Sequence, residues 1–463
     1  MHIKSNVFGN IPIEIWEYPV MFMMLFAVFF VAGRIKEKGL LRRPEYKYFL
    51  WGLWAKIIGG IAFGSIYMFY YEGLGDTTAY YDGALAFRNL FHEDFSNFTT
   101  VYAGPGTLEM KSYFTATTGE PIWFVFHEDK ARFVIKLVTP LMIVCGGSYF
   151  LTTVLISLLT YGSIWQLYLM FTSYFPRYSG NLAIAILFMP SVIFWGSGIM
   201  KDSFTMAATC YFVVTMHKII TSSGSRFFNL VKLSLFAFVI VSIKAYILII
   251  LVPGSLVWFF YDRILSIRNQ LFRVMVVPVI YLVIFGASYL VLGVLDSQSS
   301  EFGIGKVIET ASVIQRDLKQ DYYEGNSFDI GHFEPTLAGA ISKFPVATFA
   351  GLYRPLLWES KNIVMFISGI ENTIVIAITV LVIVGTKPRI LWRLIFNNPV
   401  LLYSLIFSLL FAFMIGLTTS NFGALVRFRI PLIPLYMGTI MILFSNMRQV
   451  KWRSKTRSTA IGI

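Results

Sequence analysis

Two carboxylates, Asp76 and Asp82, open the first long polar stretch of an otherwise apolar chain. They sit in Gly75-Asp76-Thr77-Thr78-Ala79-Tyr80-Tyr81-Asp82-Gly83, directly after a membrane-length apolar run. A carboxylate at the mouth of a membrane helix is either a hydrated loop residue or a group placed for proton transfer at the interface. In a helix these two acids fall on different faces, so one can serve a site while the other caps a helix end. Asp76 lies nearer the preceding span and is the expected general base. Asp82 and Tyr80 are the expected substrate contacts beside it.

Three further places put charge near membrane depth, where it is costly and needs a partner. In the turn from Pro190 to Ser203, Lys201 and Asp202 fall at the outer interface. Capping of the next helix by Asp202 or Ser203 accounts for the acid but leaves the lysine unexplained. Lys244 stands alone in Ser242-Ile243-Lys244-Ala245-Tyr246, where it either snorkels or serves a site. Arg427 and Arg429 lie between Asn421 and Pro431. Their forked guanidinium groups match a phosphate, and a salt bridge to Asp202 or a loop carboxylate is the alternative. One outward constellation of an acid and fixed cations suits a reaction in which a hydroxyl loses its proton while a phosphate departs. In a membrane such a site takes a lipid phosphate carrier.

Membrane helices must position these groups. Of 463 residues, 56% are hydrophobic and only 14% charged, with mean hydropathy +0.68, which excludes an ordinary soluble domain. The pattern predicts an all-α polytopic membrane protein, a single domain over residues 1–463. Eleven spans are expected, at 18–33, 48–71, 148–172, 181–199, 203–220, 228–243, 246–261, 272–295, 363–385, 399–417 and 430–446. The first reads as a permanent span rather than a cleaved signal. Residues 133–147, interrupted by Pro140 and Gly146-Gly147, read as an interfacial or re-entrant helix.

Short basic loops alternate with mixed ones. Arg34 to Lys47, Arg177, Lys218 to Lys232, Arg263 to Arg273, Lys387 to Arg393 and Arg448 to Arg457 form the basic set. The positive-inside rule assigns them to the cytoplasm, with the N-terminus outside and the C-terminus inside. Two long loops, 72–147 and 296–362, then face outward and carry short interfacial helices, the first being the catalytic candidate. The net charge of +13 fits loops facing anionic membrane lipid, and no nucleic acid is expected. Cys145 and Cys210 read as small buried hydrophobes.

In the order and context of these motifs the chain resembles the polytopic glycosyltransferases of the C-type superfamily (GT-C). The resemblance is carried by Gly75-Asp76 through Tyr80 after an early span, by Pro190-Ser191 with Phe194-Trp195 and Lys201-Asp202-Ser203, and by Arg427-Phe428-Arg429-Ile430-Pro431 with Pro434. It implies transfer of a sugar from a polyprenyl-phosphate donor to a glycan, lipid or protein acceptor on the outer face. It further implies Asp76 as base, Lys201, Arg427 and Arg429 facing phosphate, and Asp202 orienting the acceptor or a cation. No resident cofactor and no divalent metal are expected. The segment Leu352 to Glu359, with Arg354, is similar to bacterial envelope-polysaccharide proteins, which implies an inner-membrane enzyme facing the periplasm. The chain departs from the family in an extra N-terminal span.

Two other functions compete. A polysaccharide polymerase or ligase would rely on the second outer loop, with Arg316, His332 and Arg354. A lipid or solute transporter would place charges at mid-membrane, where Lys56 is the main one noted, and would show an internal repeat, of which there is none.

Overall fold

The computed structural model describes residue 11, residues 13–269, short pieces between 271 and 283, residue 313 and residues 327–460, with side chains up to residue 448. Among the described residues the regular structure is helical, apart from one isolated antiparallel bridge between Ser327 and Asn421. Seven helices are long and apolar enough to cross a membrane, or eight if the bent pair Phe422–Phe428 and Ile433–Arg448 counts as one span. The protein is therefore an integral membrane protein with multiple apolar helices.

The long spans begin with α1 (Glu17–Leu40) and α2 (Phe49–Ser65), the latter widening into a π turn over Ile66–Tyr70. A polar region follows, with α3 (Asp76–Glu93), α4 (Phe95–Ala103), α5 (Leu108–Lys111), α6 (Trp123–His127) and α7 (Asp129–Val144). Next come α8 (Tyr149–Tyr174), α9 (Ser179–Leu187), α10 (Pro190–Trp195), α11 (Lys201–Ile220), α12 (Arg226–Phe259) and α13 (Tyr261–Leu265). The later part holds α14 (Leu337–Ser342), α15 (Phe344–Tyr353), α16 (Ile363–Gly385) and α17 (Pro388–Phe396). It ends with α18 (Pro399–Thr418), α19 (Phe422–Phe428) and α20 (Ile433–Ala460).

The difference from eleven spans arises at three places. The expected span 181–199 is two short helices, α9 and α10, because Pro190 lacks an N–H and disfavours helical backbone in the residue before it. The expected spans 228–243 and 246–261 share one run, α12, whose backbone leaves helical geometry at Lys244 (φ −146°, ψ 76°). Along α12, Phe236 stacks on Tyr211, Lys244 meets Asp202 and Trp258 meets His217. The break in helical geometry at Lys244 is a kink within one continuous run. Most of the expected span 272–295, and of the first part of the expected loop 296–362 up to residue 326, lies outside the described residues.

The chain divides into two compact units. The first comprises Met1–Leu169, Val192–Val214 and Leu230–Ala245, and the second Met170–Ser191, Thr215–Asn229 and Tyr246–Ile463. In the first, α1 turns Phe22, Phe26 and Phe30 outward, as a lipid-facing helix with satisfied backbone does. The polar region has its own core around the fully buried Phe87, whose ring meets those of Phe114 and Phe126. Two bonds fix α3 to the start of α8. Thr77 Oγ1 and Tyr149 OH are 2.9 Å apart, and Tyr81 OH donates to the Gly147 carbonyl at 3.0 Å. Burial, reinforced by the charges of Asp82 and Glu17, pushes the Tyr81 phenol up, so it stays a donor.

A single charge inside α2 has a structural role. Lys56 is buried and donates to the carbonyls of Val192 at 2.9 Å and Gly196 at 2.6 Å, at the C-terminal end of the six-residue α10. A cation there suits the carbonyls of a helix end and the helix dipole. Lys56→Met removes that partner. It is expected to cost about 1–3 kcal/mol, the price of a buried polar group left unsatisfied, read as a lowered melting temperature of the purified protein.

In the second unit, α15 and α18 pack with backbone contact: a Cβ at Gly351 would collide with the Ala412 carbonyl, so only glycine fits. Glu371, midway along α16, accepts from the Ser191 amide at 2.7 Å and from its hydroxyl at 2.6 Å.

Candidate functional site

In the first unit Lys201 meets Tyr80 near the start of α3, the helix that Asp76 opens. Gly75 takes φ +129° as the residue before the helix, and a Cβ there would meet the Tyr67 ring at 2.7 Å. That turn delivers Asp76 into the first turn of α3, exposed, where an acid is favoured by the helix dipole. Tyr80 is one turn further along the same face and is buried. Lys201 Nζ lies 5.8 Å from its ring centroid, within cation–π range. The same ammonium contacts both oxygens of Glu128, at 2.9 and 3.0 Å. Asp82, on another face of α3, is half-buried beside Tyr81.

Asp202 points elsewhere. It is buried in the first turn of α11 and pairs with the buried Lys244 at 2.5 Å. Lys244 therefore does not snorkel. Each of these two charges offsets the other's burial, at the start of the helix that carries Lys201.

Arg354, Arg427 and Arg429 belong to the second unit. Arg354 binds the Glu359 carboxylate, with Nε 2.9 Å from Oε1. Its guanidinium also stands 5.0 Å from the Phe328 ring centroid and 5.4 Å from that of Phe422. Phe328 is held there by its backbone N–H, which donates to the Ser420 carbonyl at 2.8 Å. Arg429 is fully buried and donates to the carbonyls of Leu352 (3.3 Å) and Arg354 (3.0 Å) and to Asn372 Oδ1 (2.5 Å). Its fork therefore fixes the chain corner that carries Arg354. Arg427 is half-buried in the last turn of α19. His332 is exposed, and Arg316 lies outside the described residues.

Several partners are absent from the sequence prediction. Glu128 and Glu359 sit in loops where nothing marks one acid above another. Glu371 did carry a signal, being a lone acid in an apolar run. The expectation of metal independence also passes over two adjacent acid pairs in the first loop, Glu93-Asp94 and Glu128-Asp129. Each of the four has a protein partner. Asp94 caps α4 by accepting from the Asn97 amide, and Glu93 accepts from Thr117 Oγ1 at 2.8 Å. Glu128 holds Lys201, and Asp129 pairs with Arg132.

No known protein family, curated protein or solved structure matches this chain. The likeness to the GT-C enzymes consequently rests on the motifs and their order alone. What the geometry adds is an exposed acid one helical turn before a buried tyrosine, and a carboxylate–ammonium pair against that tyrosine. Such a set can accept a proton at one point and neutralise a departing anion at another.

Proposed function

We propose that this protein is a membrane glycosyltransferase moving a sugar from a polyprenyl-phosphate donor to a glycan, lipid or protein acceptor on the outer face of the membrane. One observation carries the reading: Asp76 and Tyr80 share a face of α3, and Lys201 stands against Tyr80 in the grip of Glu128. The basic loops assign that end of the first unit to the outside, with the N-terminus outside and the C-terminus inside. A bacterial inner membrane with the site toward the periplasm fits this orientation.

In the proposed step Asp76 takes the proton of an acceptor hydroxyl. The freed oxygen attacks the anomeric carbon as the bond from that carbon to the phosphate oxygen breaks. The electron pair leaves on polyprenyl phosphate, and one displacement inverts the anomeric centre. Lys201 receives the phosphate charge, with Glu128 as its partner before the donor arrives. Asp202 and Lys244 keep the start of α11, and with it Lys201, in place. Membranes carrying wild type or Asp76→Asn, given labelled polyprenyl-phosphate sugar, test the reading by incorporation of label into acceptor.

A polysaccharide polymerase or ligase is the second reading, and the Arg354 clamp favours it. An arginine held by a carboxylate between two aromatic rings is a prepared anion contact. Arg354→Ala separates the two. If Asp76 carries the chemistry, the substitution lowers transfer by about tenfold to a hundredfold, one lost charge-assisted contact. A polymerase working through the second loop would instead lose its activity, measured on protein whose melting temperature is unchanged.

A further inference from the structure

A cavity of about 540 Å³ opens beside α17 in the second unit, at the end of the molecule assigned to the cytoplasm. Helix α17 begins three residues after α16 ends and stops three residues before α18 starts, so it lies between two spans at their membrane boundary. One of its sides is anchored. Ile395 and Phe396 pack against the cluster of Val257, Tyr261, Ile264 and Leu402, and Tyr261 OH donates to the Phe396 carbonyl at 2.7 Å. Trp392, stacked on Phe396 with centroids 3.9 Å apart, stays exposed, as an aromatic at the headgroup layer does.

The other side faces the cavity. Arg389 and Arg393, one turn apart and both exposed, stand over it, while Phe175, Leu401 and Ile442 give it apolar walls and Asn446 a polar one. Among the described residues no carboxylate lines this space. Two guanidinium groups above an apolar recess match the two halves of an anionic phospholipid: a phosphate for the arginines and the start of an acyl chain for the recess. The charge match also selects among lipids, because basic residues next to a span favour anionic over zwitterionic headgroups.

We propose that the recess under α17 is a binding site for an anionic phospholipid of the cytoplasmic leaflet, with Arg389 and Arg393 holding its phosphate. It is separate from the transfer chemistry and does not depend on it. The test uses the purified full chain, titrated with phosphatidylglycerol or phosphatidylcholine and read by native mass spectrometry. Wild type is expected to retain phosphatidylglycerol in preference to phosphatidylcholine. The double variant Arg389→Ala with Arg393→Ala should weaken phosphatidylglycerol roughly thirtyfold, at about 1 kcal/mol for each basic residue. Leu394→Trp fills the recess and leaves both arginines, and it too should lower occupancy. The proposal is overturned if wild type shows no preference, or if the double variant keeps its affinity. Unchanged occupancy in Leu394→Trp would mean surface charge without a pocket. Displacement of the lipid by millimolar inorganic phosphate would mean a small-anion site.

Discussion

Asp76→Asn is expected to lower sugar transfer about a hundredfold to ten-thousandfold, the range supplied by a positioned general base. The amide is nearly the same size as the carboxylate and keeps an acceptor oxygen, so α3 still forms. It cannot take up a proton at working pH. Donor affinity should change little, because the proposed step gives the phosphate to Lys201 and not to Asp76. The loss then falls on the turnover number rather than on KM. Asp76 is exposed, so the stability of the variant, read by thermal melting, should stay within about 0.5 kcal/mol of wild type, as surface substitutions do. Equal transfer by wild type and Asp76→Asn at saturating donor would remove Asp76 from the chemistry.

The second large effect is on stability. Asp202→Ala should destabilise the protein by about 3–5 kcal/mol, since it breaks a buried ion pair by removing the carboxylate that the Lys244 ammonium contacts. Lys244→Ala should cost a similar amount for the mirrored reason. Replacing both, as Asp202→Leu with Lys244→Met, removes the two desolvation costs together and should recover most of the loss. The pair is 2.5 Å apart with both side chains nearly enclosed. A double-mutant cycle on melting of the purified protein therefore isolates a coupling well above that of a surface pair. Single losses below about 1 kcal/mol would mean that water reaches the pair.

Much of the fold was legible because charge-free apolar runs leave few alternatives in a membrane. Helices α1, α2, α8, α11, α16 and α18 lie where such runs predict spans. The pair α9 and α10 was not legible, because Pro190 breaks the backbone without changing the hydropathy around it. The interruption at Lys244 was legible from the lysine itself. That one helical run continues across it was not, since only the backbone geometry shows a kink in place of a loop.

The candidate site was legible in part. Residue type and position brought out Asp76, Tyr80 and Lys201, but Glu128 pairs with Lys201 from 73 positions away, a contact no local pattern records. Arg429 shows the limit most clearly. A guanidinium near the membrane surface asks for acceptors, and the sequence does not say whether these are a phosphate or the chain's own carbonyls. Here they are the carbonyls of Leu352 and Arg354. Lys56 belongs to the same class: a charge within a span that serves the end of a neighbouring helix.

The proposal that an outward-facing acid transfers sugar from a lipid phosphate is tested most directly in oriented proteoliposomes. Labelled polyprenyl-phosphate sugar and acceptor are supplied together on one face, with the product isolated and its anomeric configuration determined. The prediction is covalent transfer with inversion, only at the face bearing the 72–147 loop, and its loss in Asp76→Asn. Movement of intact donor across the bilayer without a new glycosidic bond, or transfer at the opposite face, would contradict it.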